Sequence, residues 1–262
     1  VGGQRLQIIY GLDVLSPLKA WEVIFDYLMK QGISPTAPVK LSEKQIDLNK
    51  VSEDIYKFSR KHFRVGLGDI FLDYGAVTAW NHVLISVKDE SGSFEDSWGE
   101  LASEFLETAI FVQAWISDNE YAFWQNAADP LQYEANGRSY EGLPMKSNGL
   151  PPPLEQMEID ISANPGRRII RAGYVESIGH RMWLGPEFFR LVPGAQRDTL
   201  RSESWLHTVE LENDVLELTV QDAPFVDDAT AETQNRLRAI LFPNEVRRED
   251  RGHPSIEGSS CK

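Results

Sequence analysis

The chain has 262 residues, 42% hydrophobic and 25% charged, with a formal net charge of −14. That composition supplies apolar mass for one large core or two smaller ones, and it excludes a collagen-like chain, a coiled-coil rod and wholesale disorder. No stretch approaches 18 consecutive apolar residues, which excludes a membrane-spanning helix, and the single cysteine, Cys261, excludes a disulfide framework or a zinc site built on several thiolates.

In chain order, Gln4 to Tyr10 reads as a strand in which Leu6, Ile8 and Tyr10 share one face. Ser16-Pro17 starts a helix, with serine as N-cap and proline at the first position. Its stripe of Leu18, Trp21, Ile24 and Leu28 runs to a stop at Gly32. A looser stripe, Ile46, Val51, Ile55 and Phe58, predicts a second helix from about Ser42 to His62. Residues 69–73 and 82–87 are short and rich in β-branched or aromatic residues, and they predict a strand pair. Gly66-Leu67-Gly68 lacks the third glycine and the Lys-Ser or Lys-Thr of the nucleotide-binding fingerprints, so it reads as a turn. After a turn at Ser91-Gly92-Ser93, residues 94–108 predict a helix with Trp98, Leu101, Phe105 and Leu106 on one side, then residues 110–117 a strand and 119–126 a short helix.

The charge is concentrated in this middle region. Residues 1–88 carry a net +2, whereas residues 89–162 hold 15 acidic and 2 basic residues. Such a segment repels phosphate backbones and anionic lipid surfaces, so neither nucleic acid nor membrane is an expected partner. It favours a basic partner through steering and complementary potential. Disordered acidic tails are poor in aromatics, but here Asp118, Glu120, Asp129 and Glu134 interleave with Trp115, Tyr121, Phe123, Trp124, Tyr133 and Tyr140. This segment is therefore expected to fold. The candidate partner-binding residues are Trp115, Asp118, Glu120, Tyr121, Trp124, Tyr133, Glu134 and Tyr140, a composition suited to anchoring a basic protein.

Residues 127–166 hold six prolines and include a polyproline-like Leu150-Pro151-Pro152-Pro153-Leu154, which predicts a long ordered loop or a linker. The basic cluster Arg167, Arg168 and Arg171 is expected to pair with the acidic middle segment. Residues 167–178 supply one or two strands, Gly185-Pro186 starts a short helix, residues 205–211 and 215–220 form a hairpin, and residues 229–241 form a helix that Asp227-Asp228 caps. The expected fold is α+β, a largely antiparallel sheet with packed helices. It divides into an N-terminal lobe over 1–145, a Pro/Gly-rich connection over 146–166, a C-terminal lobe over 167–243 and a tail over 244–262.

No familiar catalytic signature is present. There is no Gly-x-Ser-x-Gly elbow and no His-Glu-x-x-His, and the five histidines are not paired at ligand spacing. No metal and no cofactor are expected. His180, beside Arg181, and His82 are the candidates for acid–base work, each more simply read as a structural histidine. Asp69 and Asp73 form a weak candidate carboxylate pair.

From Gly179-His180-Arg181-Met182-Trp183-Leu184-Gly185-Pro186, through the hairpin, to Leu237-Arg238-Ala239-Ile240-Leu241-Phe242-Pro243, the last third resembles the closing portion of bacterial immunity proteins from type VI secretion and polymorphic-toxin loci. The resemblance implies a binder that neutralises one cognate protein toxin without doing chemistry. Together with the acidic aromatic segment, it makes the expected partner a basic toxin. An enzyme lacking a familiar motif, for example a hydrolase using His180 or His82, and a structural subunit of a bacterial assembly are the alternatives. The absence of disulfides suits the cytoplasm, while an opening at Val1 rather than methionine leaves a removed N-terminal segment, and hence the periplasm, open.

Overall fold

The computed structural model of the chain describes residues 3–94, 97–106 and 110–243. The first half runs β1 (Gln4–Gly11), α1 (Pro17–Lys30), β2 (Pro38–Leu41), β3 (Lys44–Asp47), α2 (Val51–Lys57), β4 (His62–Leu67), β5 (Ile70–Val77) and β6 (His82–Asp89). Then come α3 (Trp98–Phe105), β7 (Phe111–Asp118), α4 (Asn119–Asn126) and α5 (Pro130–Ala135). Two small hairpins follow, β8 (Met145–Ser147) with β9 (Met157–Ile159), and β10 (Ile169–Arg171) with β11 (Tyr174–Glu176). The chain closes with β12 (Arg181–Leu184), α6 (Pro186–Leu191), α7 (Arg197–Ser202), β13 (His207–Glu210), β14 (Leu216–Thr219) and α8 (Ala231–Leu241).

Ten strands form one sheet in the order β13-β14-β12-β7-β1-β6-β5-β4-β2-β3, every neighbouring pair antiparallel. The protein is thus α+β with a large antiparallel sheet, and the sheet takes strands from both sides of residues 146–166.

Strand alternation sends side chains to two faces, and the two faces are covered at different ends. On the first face, Leu6 and Ile8 of β1 continue into Val87 and Ile85 of β6, Leu72 and Tyr74 of β5, and Val65 and Phe63 of β4. Helices α1, α2 and α3 cover this row with Trp21, Ile24, Leu28, Ile55, Leu101 and Phe105. On the opposite face, Trp115 of β7, Met182 of β12 and Leu218 of β14 form a row covered by Phe188 of α6, Leu200 of α7, and Leu237 and Leu241 of α8. The two cores meet at β1 and β7. Every residue of β7 from Phe111 to Ile116 is buried, because one face closes the first core and the other the second. Gln113 is the polar exception. Its amide donates to the Val175 carbonyl (2.8 Å) and accepts from the Val175 N–H (3.3 Å), fastening β11 onto the sheet.

Three sequence expectations need correction. Residues 42–62 are not one helix. Val39 and Leu41 alternate with Lys40 in a sheet-edge hairpin, Ser42 takes a left-handed conformation (φ 55°) in its turn, and only Val51–Lys57 is helical. Phe58, placed on the helix stripe, is exposed. Residues 127–166, expected as a long ordered loop or a linker, contain regular elements. Helix α5 carries a capping box between Asp129 and Gln132, and Asn148 ties the β8–β9 connection by accepting from Leu150 N and Gln156 N and donating to the Leu154 carbonyl. Lastly, Arg171 pairs with Glu176 (2.7 Å), which lies on its own hairpin and outside the acidic middle segment. The expected helix over 94–108 is α3 within the described residues, and positions 95–96 and 107–108 lie outside them, as does the expected tail.

Gly185 follows β12, where its backbone passes directly against the Phe111 carbonyl, so a Cβ there would overlap backbone. Gly185→Ala is expected to lower unfolding free energy in urea by about 1–3 kcal/mol or more. Gly75→Ala, with no atom near the added methyl, should stay within about 0.5 kcal/mol. Equal losses at both would contradict this packing.

Candidate functional site

The last residue of β7, Asp118, is buried and N-caps α4 by accepting from Tyr121 N (2.8 Å). This cap sets where α4 points, and α4 then presents Glu120, Tyr121 and Trp124 along one wall of a cleft of about 600 Å³. A second wall comes from α5 and the turn after it. Tyr133 lies against Trp124 (centroids 4.9 Å apart), Tyr140 packs on Tyr133 (6.3 Å), and these rings close a small third core with Ala127 and Ile159. Val226, Asp227 and Asp228, just before α8, line the cleft from the far side. Gln234 of α8 joins the sides, its fully buried amide donating to the Tyr121 hydroxyl (2.8 Å) and to Thr230 Oγ1 (2.9 Å).

The electrostatics are one-sided. Asp118, Glu120, Asp227 and Asp228 line the cleft, and none of them has an ion-pair partner among the described residues. The cation in the same cleft is Arg138, whose guanidinium lies 4.4 Å from the Trp124 ring. Burial raises the Tyr121 phenol above its ordinary value, Gln234 offsets part of this, and Asp228 and Asp227 add to the rise. Loss of a proton is therefore disfavoured, and the tyrosine serves as a neutral aromatic wall. The arrangement can seat a cationic group: acids supply the field, and ring faces supply a cation–π surface.

The cleft gathers Asp118, Glu120, Tyr121, Trp124 and Tyr133 from the sequence candidates. Tyr140 stands behind Tyr133, with its hydroxyl on Glu134 (3.2 Å). Trp115 is a correction. It is buried in the second core and does not reach the cleft, because its position on β7 faces Met182 across the ladder. The residues sequence reasoning missed are Arg138, Leu143, Asn164 and the pair Asp227–Asp228. The last two were read as caps, and Asp227 is one, accepting from Ala229 N (3.0 Å). Nothing local signals that the same turn also faces α4, about a hundred residues earlier in the chain.

The histidines lie elsewhere. His180 is buried against Phe225, and burial lowers its pKa to about 4, with a backbone hydrogen bond at Ile116 opposing and Arg181 adding to the depression. The His82 ring bonds the Trp80 carbonyl (3.1 Å), and burial depresses its pKa as well. Asp73 is paired with Arg64, while Asp69 sits in the turn before β5, so the two do not form a carboxylate pair. Among the described residues no group of three or more His, Cys, Asp or Glu is arranged to hold a metal, and no helix is long and apolar enough to cross a membrane.

No protein-family model and no curated protein matches the chain. Among solved structures, the chain has a distant likeness to a Pseudomonas aeruginosa T6SS protein, PA0821, at 11% identity and a TM-score of 0.47, covering 86% of this chain and 68% of that one.

Since His180 is held neutral in the folded chain, the unfolded chain binds the extra proton between its ordinary pKa of 6.5 and the folded value of about 4. Stability should therefore fall as pH drops through that window, by about 3 kcal/mol at most. In urea titrations at pH 7 and pH 4.5, His180→Gln should show a smaller acid-side loss than the parent chain. An identical loss would show that the imidazole is not buried neutral.

Proposed function

We propose that this protein is a non-enzymatic binder of the immunity type, which takes a basic protein partner at the acidic aromatic cleft between α4, α5 and the approach to α8. The observation that carries the reading is the set of four carboxylates without ion-pair partners among the described residues, around rings that already seat one guanidinium, Arg138 on Trp124. A lysine or arginine of the partner entering the cleft would meet Glu120, Asp227 and Asp228 at its exposed mouth and the faces of Trp124 and Tyr121 deeper in. The exposed Phe123 and Leu143 flank the entry and offer apolar contact. The acids would speed encounter, and desolvated aromatic contacts would slow dissociation. The resemblance of residues 179–243 to immunity proteins agrees with such a role and makes a cognate toxin the partner proposed.

The test is capture from a lysate of the source organism by the parent chain and by a Glu120→Lys/Asp228→Lys variant, at low and high salt, with mass spectrometry of the eluate. The parent should retain one basic protein stoichiometrically at low salt and less of it at high salt. The variant should bind that protein at least about tenfold more weakly, with a flatter salt dependence. Capture of the same protein equally well by both chains would remove the cleft from the interface.

A further inference from the structure

Opposite the first core, the second core covers β1 at Ile9 and buries Gln7, but the same face is partly open at Arg5 of β1, Lys88 of β6, Phe71 and Asp73 of β5 and Arg64 of β4. In a chain of net charge −14, this face is basic. Arg5 of β1 stands directly opposite Lys88 of β6 in the ladder, and on its other side opposite Ser117 of β7. Like charges in register destabilise a sheet. A third cation adds to them. Arg168, carried on the segment between β9 and β10, reaches over to Ser117 Oγ (3.4 Å), close enough to Arg5 that the two guanidiniums repel. Asp73 and Glu90 are the nearby acids, and each already has its own cation, Arg64 and Lys88 respectively. Neither Arg5 nor Arg168 has an ion-pair partner among the described residues, so the face keeps an excess of two positive charges.

Burial makes this costly. Arg5 is largely withdrawn from solvent, and its Nε is a buried donor without a hydrogen-bond partner. A second unpartnered buried donor lies on the same face, Trp115 Nε1 of β7, two residues before Ser117. Unsatisfied buried polar groups and unpaired buried cations are each destabilising. Their coincidence at adjoining positions marks a place built around something that supplies negative charge and acceptor oxygens. Next in the row, beyond Lys88, Phe71 opens onto a hollow of about 430 Å³ lined also by Gly66 and by the ion pair Lys40–Glu43 (3.2 Å).

We propose that this partly open end of the sheet face is a binding site for a dianionic phosphate group, held by Arg5, Arg168, Lys88 and Ser117. Two guanidiniums can fork onto phosphate oxygens, the ammonium adds a point charge, and the hydroxyl donates one more hydrogen bond. The charge of a phosphate monoester matches the local excess. The negative charge of the rest of the molecule is screened beyond roughly 8–10 Å at physiological ionic strength. If the phosphate is esterified, its organic part has Phe71 within reach, about 10 Å from Arg5 across two strand spacings. None of these four residues lines the acidic cleft, and the proposal does not rest on the partner proposed for it.

The experiment is calorimetric titration of the full chain with inorganic phosphate and, separately, with phenyl phosphate, against chloride at matched ionic strength. One saturable equivalent is expected, weakened roughly tenfold or more by Arg5→Gln and by Arg168→Gln. It should be unchanged in Glu120→Lys/Asp228→Lys. Tighter binding of phenyl phosphate identifies an ester as the occupant, and equal affinities identify the free ion. Both results support the site. No saturable heat from either ligand with the parent chain overturns it, whatever the variants do. Undiminished binding in folded Arg5→Gln and Arg168→Gln chains overturns it equally.

Discussion

The structure turns on a pair of strands buried on both faces. Strands β1 and β7 belong to the first core by one side and to the second by the other, so the two sets of helices never share a face of the sheet. This arrangement forbids the polar-out alternation of an ordinary antiparallel strand, which is why β7 reads Phe-Val-Gln-Ala-Trp-Ile without a charged residue. It also explains Gln113. An amide at the centre of such a strand must satisfy itself, and both of its groups do so on Val175. Away from this seam the strands of the first half are only partly covered on their second face, and the side chains there are predominantly basic.

The position of the candidate site follows from where β7 ends. Asp118 terminates the strand and caps α4, so the rigid centre of the sheet sets the position of Glu120, Tyr121 and Trp124. Helix α8, anchored in the second core by Leu237 and Leu241, brings Asp227 and Asp228 to the same place, and the Gln234–Tyr121 bond fixes their spacing. Carboxylates held together on a stiff frame repel one another, and a cation that enters relieves that repulsion. The frame therefore gives the field a fixed direction.

Much of this is legible in the residues. The alternation in Gln4–Tyr10, the Ser16-Pro17 helix start and the strand pair at β5 and β6 all follow from local pattern. The interleaving of acids with Trp124, Tyr121 and Tyr133 marked the cleft's first wall, because aromatic residues in an acidic stretch need a folded surface to lie on. Pattern failed where tertiary pairing decides. Residues 42–47 lie within reach of the helical stripe that begins at Ile46, and the sheet edge instead holds them in a hairpin with 38–41. Trp115 looked like part of an interface because strand polarity alone does not say that both faces are covered. Asp227 and Asp228 and the Arg5–Lys88–Arg168 group are assembled by register and long-range packing, which leave no trace in local spacing.

The most direct test of this account is native-state hydrogen exchange, resolved by residue, under increasing urea. If β1 and β7 are the seam of two cores on one sheet, their amides exchange last, together, and only by global unfolding. Amides on α1 and on α8 should then merge with them into the same final opening. Protection of β1 that survives while β7, β12 and α8 open separately at much lower free energy would contradict it, and would show two halves that merely abut.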